Sequence, residues 1–492
     1  MKRILVVVLI MLTACTSRTK ENPPIPAPHN FSSIRNEIIH LVKDGKTPSF
    51  SIAVLQNGKI LWQEAFEQLD DTSSVSISSN AQFPLASLTK SMSATVLLKL
   101  VENQQVSLDD KIHKYLPNQI NYYSRKNSTI RELLNMSAGI PHGGMSFNSE
   151  SSFAKMENDS LISNIYGMTV FPSGIQEYSN FSYGIIESII EKITNKPYAL
   201  VLKEELFEPL GMKNSFIEPT QSNKLKNNSV KSDKVFSSKF LPSGAAGVYS
   251  TLSDLILYAR LNLNEIEESL ISQKTLNKLH YEKINPASMM ALGWGSISLG
   301  DNLTWILSNG SFPNSANSNL SIIPEHNIAV ICLANRDYQS KADIMAIKAI
   351  NVLIDGFADK AFAKMEDYDS ADSKNLSFEN SSYDIWEGTL KSSLVVEPIK
   401  FMFESDSLFV SYKNSKWQFI EYARMDHQSI IRGQMKIPLI NPITKQLEQT
   451  TGAINLLIGK DELEGYYSAS FSNKNVVFLE LPFYIKVHGK SN

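Results

Sequence analysis

Apolar and polar residues alternate with a period of two through FSIAVLQNGKILWQEAF, residues 50–66. The two runs flank Asn57-Gly58, a pair suited to the left-handed turn of a two-residue hairpin. Just upstream, IRNEIIHLVKDG (34–45) repeats its apolar positions at helical spacing. Strands return in NLSIIPEHNIAVICLAN (319–335), and an apolar helix is predicted in KADIMAIKAINVLIDGF (341–357). The segments between are mostly helical. A sheet drawn from both ends of this region, with helices inserted between, predicts an α/β sandwich whose cleft falls at the seam.

Residues 366–384, EDYDSADSKNLSFENSSYD, are acidic and serine-rich and read as a linker. From Trp386 onward the pattern is short, period-two and turn-punctuated, as in PIKFMFESDSLFVSY, TGAINLLIG and NVVFLELPFYIKV. This spacing predicts a small all-β antiparallel barrel or sandwich over 385–492. It carries no catalytic constellation, so a stabilising or substrate-gating role is its default reading. No fixed-period repeat runs through the chain.

The first residues differ from the rest. Lys2 and Arg3 precede the apolar run ILVVVLIML, too short to span a bilayer, and Leu12-Thr13-Ala14-Cys15 resembles a bacterial lipobox. The expectation is a signal peptide over 1–14, acylation of Cys15, a proline-rich tether over 15–33, and an exported lipoprotein held on the surface of a cell-envelope membrane. A plain signal peptide with an incidental cysteine is the alternative. Cys332, the second of two cysteines, lies in the run IAVICLAN and reads as a buried small hydrophobe. A formal charge of -3 and a pI near 6.3 provide no basic face, which excludes nucleic-acid binding. The oligomeric state stays open.

The candidate chemistry starts at FPLASLTKSM (83–92). Ser-x-x-Lys spacing occurs at Ser17/Lys20, Ser87/Lys90 and Ser152/Lys155. The first lies in the tether and the last in a polar stretch. Only Ser87 precedes a strongly apolar helix, with Val96, Leu97, Leu100 and Val101 at core spacing. Ser87 would sit near the first turn, where free N–H groups favour negative charge, with Lys90 on the same face. The bland reading is a helix cap beside a solvated lysine. Tyr178-Ser179-Asn180 stands before another apolar helix. A tyrosine near a lysine exists partly as phenolate and acts as a base, while an asparagine amide binds a substrate carbonyl. Tyr412-Lys413-Asn414 has the same spacing and reads as strand packing and a turn. The eight histidines are dispersed singly, so neither a metal site nor a histidine-based triad is supported. For His142, in GIPHGG, a loop or packing role is expected.

Ser87-Leu88-Thr89-Lys90 followed by Tyr178-Ser179-Asn180 resembles the first two motifs of the serine β-lactamase-like family, which includes class C β-lactamases, penicillin-binding DD-peptidases and esterases. The flanking segments TIRELLNMSAGIPHG, NKPYALVLKEELFEPLGMKNSF, SGAAGVYSTLSDLILYA and ALGWG extend the resemblance over about residues 34 to 356, in the family's order. It implies a β-lactamase/transpeptidase-like domain over 34–365. It also implies that Ser87 attacks a carbonyl, with Tyr178 and Lys90 sharing the proton, and that Asn180 orients the acyl amide. The N–H groups of Ser87 and Ser311 would form an oxyanion hole.

The third motif departs from the family. Relatives carry Lys or His, a small residue and Gly; this chain reads Ser308-Asn309-Gly310-Ser311, and Asn314 replaces a glycine common in relatives. Gly310 keeps the close backbone approach. Ser308 lacks the charge that would bind a substrate carboxylate. The implied function is therefore a serine hydrolase acting through an acyl-enzyme, without a cofactor, on a small peptide, amide or ester, including D-amino-acid peptides or β-lactams. The alternative is a family member turned binding or scaffold lipoprotein.

Overall fold

A computed structural model describes residues 24–45, 47–69, 74–78, 82–116, 128–147, 170–217, 239–266, 269–312, 316–335, 340–371, 385–392, 395–404, 407–425, 428–441, 445–473 and 476–490. Cys15 and the other N-terminal positions discussed above, Ser152/Lys155 and Asn314 lie outside these residues. Among the described residues no helix is long and apolar enough to cross a membrane.

Helix α1 (Ser32–Lys43) buries Ile34, Ile38 and Val42, one stripe four residues apart. It leads into the hairpin of β1 (Ser49–Gln56) and β2 (Lys59–Leu69). Asn57 and Gly58 carry φ of 52° and 75°, the left-handed pair that this turn requires. β3 (Ser74–Ser78) extends the hairpin, and β4 (Gln82–Pro84) brings the chain to one 3-10 turn, Ala86–Leu88, and then α2 (Thr89–Glu102). There follow α3 (Ile130–Leu134), β5 (Gly144–Phe147), α4 (Asn180–Thr194), β6 (Phe216–Ile217), β7 (Lys239–Leu241), β8 (Val248–Thr251), α5 (Leu252–Asn262) and α6 (Gln273–Tyr281). The chain then returns to the first sheet through β9 (Gly295–Ser298), β10 (Thr304–Phe312), β11 (Ala316–Ile323) and β12 (Ile328–Asn335). The result is a seven-stranded antiparallel sheet, ordered β3-β2-β1-β12-β11-β10-β9.

Both faces of this sheet are covered, which explains the unbroken apolar run of β12. Ala329, Ile331 and Leu333 join Ala53 and Leu55 against the helical region that includes α2, α4 and α5. Val330, Cys332 and Ala334 join Ile52 and Val54 against α1 and two later helices, α7 (Lys341–Leu353) and α8 (Phe357–Ala371). Cys332 is a free, buried thiol in that layer, and burial pushes its pKa well up. The helix predicted over 341–357 ends early: Gly356 takes φ 73° and α8 starts afresh at Phe357. α8 continues to Ala371, into the stretch expected to be a linker; 372–384 lie outside the described residues.

Nine strands follow: β13 (Ile385–Lys391), β14 (Val396–Glu404), β15 (Ser407–Tyr412), β16 (Gln418–Phe419), β17 (Glu421–Met425), β18 (Ile430–Ile440), β19 (Leu447–Ile458), β20 (Glu462–Asn473) and β21 (Val476–Lys490). They curl into a nearly closed antiparallel barrel in the order β16-β15-β14-β13-β21-β20-β19-β18-β17. Tyr412 is buried at the end of β15, and Lys413 and Asn414 form a left-handed turn, so that copy of the Tyr-x-Asn spacing is strand packing. The barrel does not stand apart. β5 pairs with β21, Gly144 opposite Glu480, and β7 pairs with β5. A continuous apolar cluster runs from Leu97, Ile186 and Leu255 in the helices to Phe401, Leu456 and Phe483 in the barrel.

Candidate active site

Ser87 lies in the 3-10 turn that feeds α2. Ala86 just before it adopts φ 48°, a left-handed conformation costly for a residue with a Cβ, as at other sites where geometry is imposed by the surroundings. α2 is buried almost all round, polar residues included. Those residues are satisfied locally: Ser93 Oγ donates to Gly244 O at 2.6 Å, and Thr95 Oγ1 donates to Ser91 O at 2.9 Å. This burial carries Lys90, 3% exposed, into the interior.

The three residues expected to share a proton meet. Tyr178 Oη donates to Ser87 Oγ at 2.7 Å. Lys90 Nζ lies 3.1 Å from Ser87 Oγ, 2.7 Å from Asn180 Oδ1 and 3.0 Å from Ala245 O. It also sits 4.9 Å from the centre of the Tyr178 ring. Asn180 is the first residue of α4, set there by Ser179, whose Oγ caps the helix by accepting from Ser182 N at 3.0 Å.

Burial drives the Lys90 pKa well below its ordinary value, toward a neutral amine. Such an amine has two hydrogens and one lone pair. The carbonyl oxygens of Asn180 and Ala245 only accept, so they take the two hydrogens and leave the lone pair facing the Ser87 hydroxyl. The phenol of Tyr178 is pushed up to about 12, by desolvation first, with the hydrogen bond to Ser87 acting the other way. The ring stays 42% exposed at the cavity wall, so this desolvation comes from the crowding around its hydroxyl. At neutral pH Tyr178 is a protonated donor, not the partial phenolate expected from the sequence.

The opposite wall is β10. β9 pairs with β10 only along Thr304–Leu307, and the stretch beyond faces the Ser87 turn. A Cβ at position 310 would lie 2.3 Å from Leu85 O and 2.5 Å from Ser87 N, so only glycine lets the strand come this close. Ser308 is nearly buried and Ser311 exposed, and both line the same cavity as Ser87, Lys90, Tyr178 and Asn180. Asp343 of α7 steadies this wall: it accepts from Asn309 Nδ2 at 3.1 Å, Asn317 Nδ2 at 3.2 Å and Asn319 Nδ2 at 2.7 Å. Asn317 Nδ2 also donates to Gly310 O at 3.1 Å.

The cavity encloses about 640 Å3. Two titratable lining residues, His142 and Glu480, had no site role in the sequence reading. His142 stands against Tyr178, ring centres 5.4 Å apart, with its Nε2 3.3 Å from the carboxylate of Glu480. Glu480 belongs to the barrel and is the single carboxylate among the described lining residues. The Ala245 carbonyl was also missed, since a backbone oxygen has no sequence signature.

The sequence profile of the Beta-lactamase family matches residues 34–353. The chain belongs to the Beta-lactamase family. It is thus a member of the serine β-lactamase/DD-peptidase superfamily, whose members are mostly serine hydrolases. The chain is 25% identical over 312 residues to Protein flp of Staphylococcus aureus (strain N315), 61% of this chain and 61% of that protein. It therefore spans less than two thirds of the length of the curated relatives it matches. A D-aminopeptidase from Brucella anthropi is 25% identical over 241 residues, covering 46% of this chain and 45% of the enzyme. The octameric penicillin-binding protein homologue from Pyrococcus abyssi superposes with a TM-score of 0.55 at 17% identity, covering 92% of this chain and 99% of that one. At that coverage the likeness of fold reaches into the barrel.

Proposed function

We propose that this chain is a serine hydrolase that forms an acyl-enzyme on Ser87 with small amides, peptides or esters. One observation carries the reading: Ser87 Oγ lies within 3.1 Å of an amine whose other two hydrogen-bond partners are carbonyl acceptors. In the forward step Ser87 Oγ bonds to the substrate carbonyl carbon and its proton passes to Lys90 Nζ. Tyr178 Oη gives its proton to the leaving nitrogen or oxygen as that bond breaks, and recovers one from Lys90. Water then hydrolyses the ester, with the Ser87 and Ser311 N–H groups holding the oxyanion in both halves.

Two features support a substrate with a free amine over one with a free carboxylate. Position 308 offers a hydroxyl instead of a cation, and the cavity wall carries Glu480. The D-aminopeptidase relative supports D-aminoacyl amides as the first class to test. Leu-Thr-Ala-Cys15 supports action on a membrane surface in the cell envelope. The altered third motif favours a second reading, a family member that binds without turning over.

Hydrolysis of D- and L-aminoacyl p-nitroanilides by wild type and Ser87→Ala separates them. The hydrolase reading expects turnover of the D series and a loss of roughly 10³-fold or more in Ser87→Ala. Equal turnover by both proteins overturns it, and a folded wild type inert to amide, ester and fluorophosphonate supports the binder.

A further inference from the structure

Tyr178 is delivered by GIQEY, residues 174–178, which is neither helix nor strand. The segment leads directly into Ser179, the cap of α4. On one side the segment hangs from the catalytic domain: Gly174 N donates to Ser137 O at 3.0 Å and Glu177 N to Met136 O at 2.9 Å. On the other it is held by the barrel. Gln176 N donates to Gln428 Oε1 at 3.0 Å, and Gln428 Nε2 donates back to Gln176 O at 3.1 Å. The next side chain, Glu177, is buried, and both its oxygens are taken by barrel residues. Tyr466 Oη donates to Oε1 at 2.6 Å, and Arg432 Nη2 lies 2.8 Å from Oε2. Arg432 is braced in turn by Asn455 Oδ1, 2.8 Å from Nη1. Around the carboxylate, Val170, Phe171 and Ile175 pack on Ile430, Tyr466 and Tyr484 in an apolar seam.

An ion pair between a buried carboxylate and a half-buried guanidinium adds little net stability over apolar packing, because burial costs the ions much of their hydration. What it supplies is a fixed position. Burial and the neighbouring carboxylate push the Tyr466 phenol well up, so it remains a donor. From this arrangement we infer that Glu177 is a positioning residue, through which Arg432 and Tyr466 of the C-terminal barrel hold Tyr178 on Ser87. The barrel is then part of the working site. This inference rests on the acyl-enzyme reading above.

The test is a double-mutant cycle in the full-length chain, read as the second-order rate of Ser87 labelling by a fluorophosphonate. Arg432→Met in otherwise wild-type protein is expected to slow labelling by about 10²-fold, the scale of a misplacement near 1 Å. In a Tyr178→Phe background the same substitution is expected to change the rate less than about threefold, since Arg432 acts only through Tyr178. Equal losses in both backgrounds, or no loss in either, overturn the inference; a merely structural ion pair produces one of those two results. Arg432→Lys is expected to recover part of the rate. If Arg432→Met does not fold, Tyr466→Phe, which removes one hydroxyl and keeps the ring in its seam, is run through the same cycle with the same criterion. A wild type that is not labelled at Ser87 defeats the acyl-enzyme reading itself. A labelled wild type with additive losses defeats the positioning role alone.

Discussion

At position 308 the wall strand presents a nearly buried hydroxyl where the resemblance leads one to expect Lys or His. The difference is one of charge: Gly310 and Ser311 still line the cavity, and Ser87, Lys90 and Tyr178 lie on other elements. A charge-assisted hydrogen bond to a carboxylate contributes about 1.5 to 3 kcal/mol. Ser308→Lys is therefore expected to raise kcat/KM for carboxylate-bearing substrates such as penicillins by roughly 10- to 100-fold and to do little for neutral aminoacyl amides. Steady-state kinetics on both substrate types checks this; equal changes on both would show that position 308 does not select by charge. Ser87, Lys90, Tyr178 and Asn180 could be picked out in the sequence because each pair stands at a fixed spacing ahead of an apolar helix and in the order of the family that the chain resembles. The protonation pattern could not. It depends on how deeply α2 is buried and on the Ala245 carbonyl, which arrives from 155 residues away.

The site is assembled by elements that approach without side chains between them. β10 meets the 3-10 turn of Ser87 at Gly310, where even a methyl group would fall within 2.3 Å of a carbonyl oxygen. Gly310→Ala is thus expected to push strand and turn apart at a cost of about 1 to 3 kcal/mol. The acylation rate should fall by about 10²-fold as the oxyanion donors separate. Thermal melting and labelling rate measured together test this, and an unchanged labelling rate would mean that the two elements need not touch. At this scale the hairpin at Asn57-Gly58, the sheet drawn from both ends of the domain and the terminal β domain were all readable from periodicity. Short pieces were not. β5 and β7 have four and three residues; β5 pairs with β21, more than 300 positions away, and β7 pairs with β5, so no local pattern reports either.

Across the whole molecule, the barrel, in which the sequence showed no catalytic constellation, reaches the cavity at Glu480 and braces the segment leading into Tyr178 at Glu177. These contacts escaped the sequence because Arg432, Tyr466 and Glu480 are ordinary strand residues whose meaning comes only from the docking of the barrel against the loops at Glu177 and His142. The central claim remains the chemistry that this assembly surrounds: Ser87 activated by a neutral Lys90. The most direct measurement is intact-mass detection of the acyl-enzyme formed from an activated D-aminoacyl ester, followed as a function of pH. Lys90 accepts a proton only in its neutral form, and its pKa lies well below the ordinary lysine value. The acylation rate should therefore rise with pH as Lys90 deprotonates, and decline only where Tyr178 ionises, near about 12. The predicted result is a single adduct mapped to Ser87, absent in Ser87→Ala, with that rise already complete below the pH at which an exposed lysine titrates. An adduct on another residue, or one that forms equally in Ser87→Ala, contradicts the account.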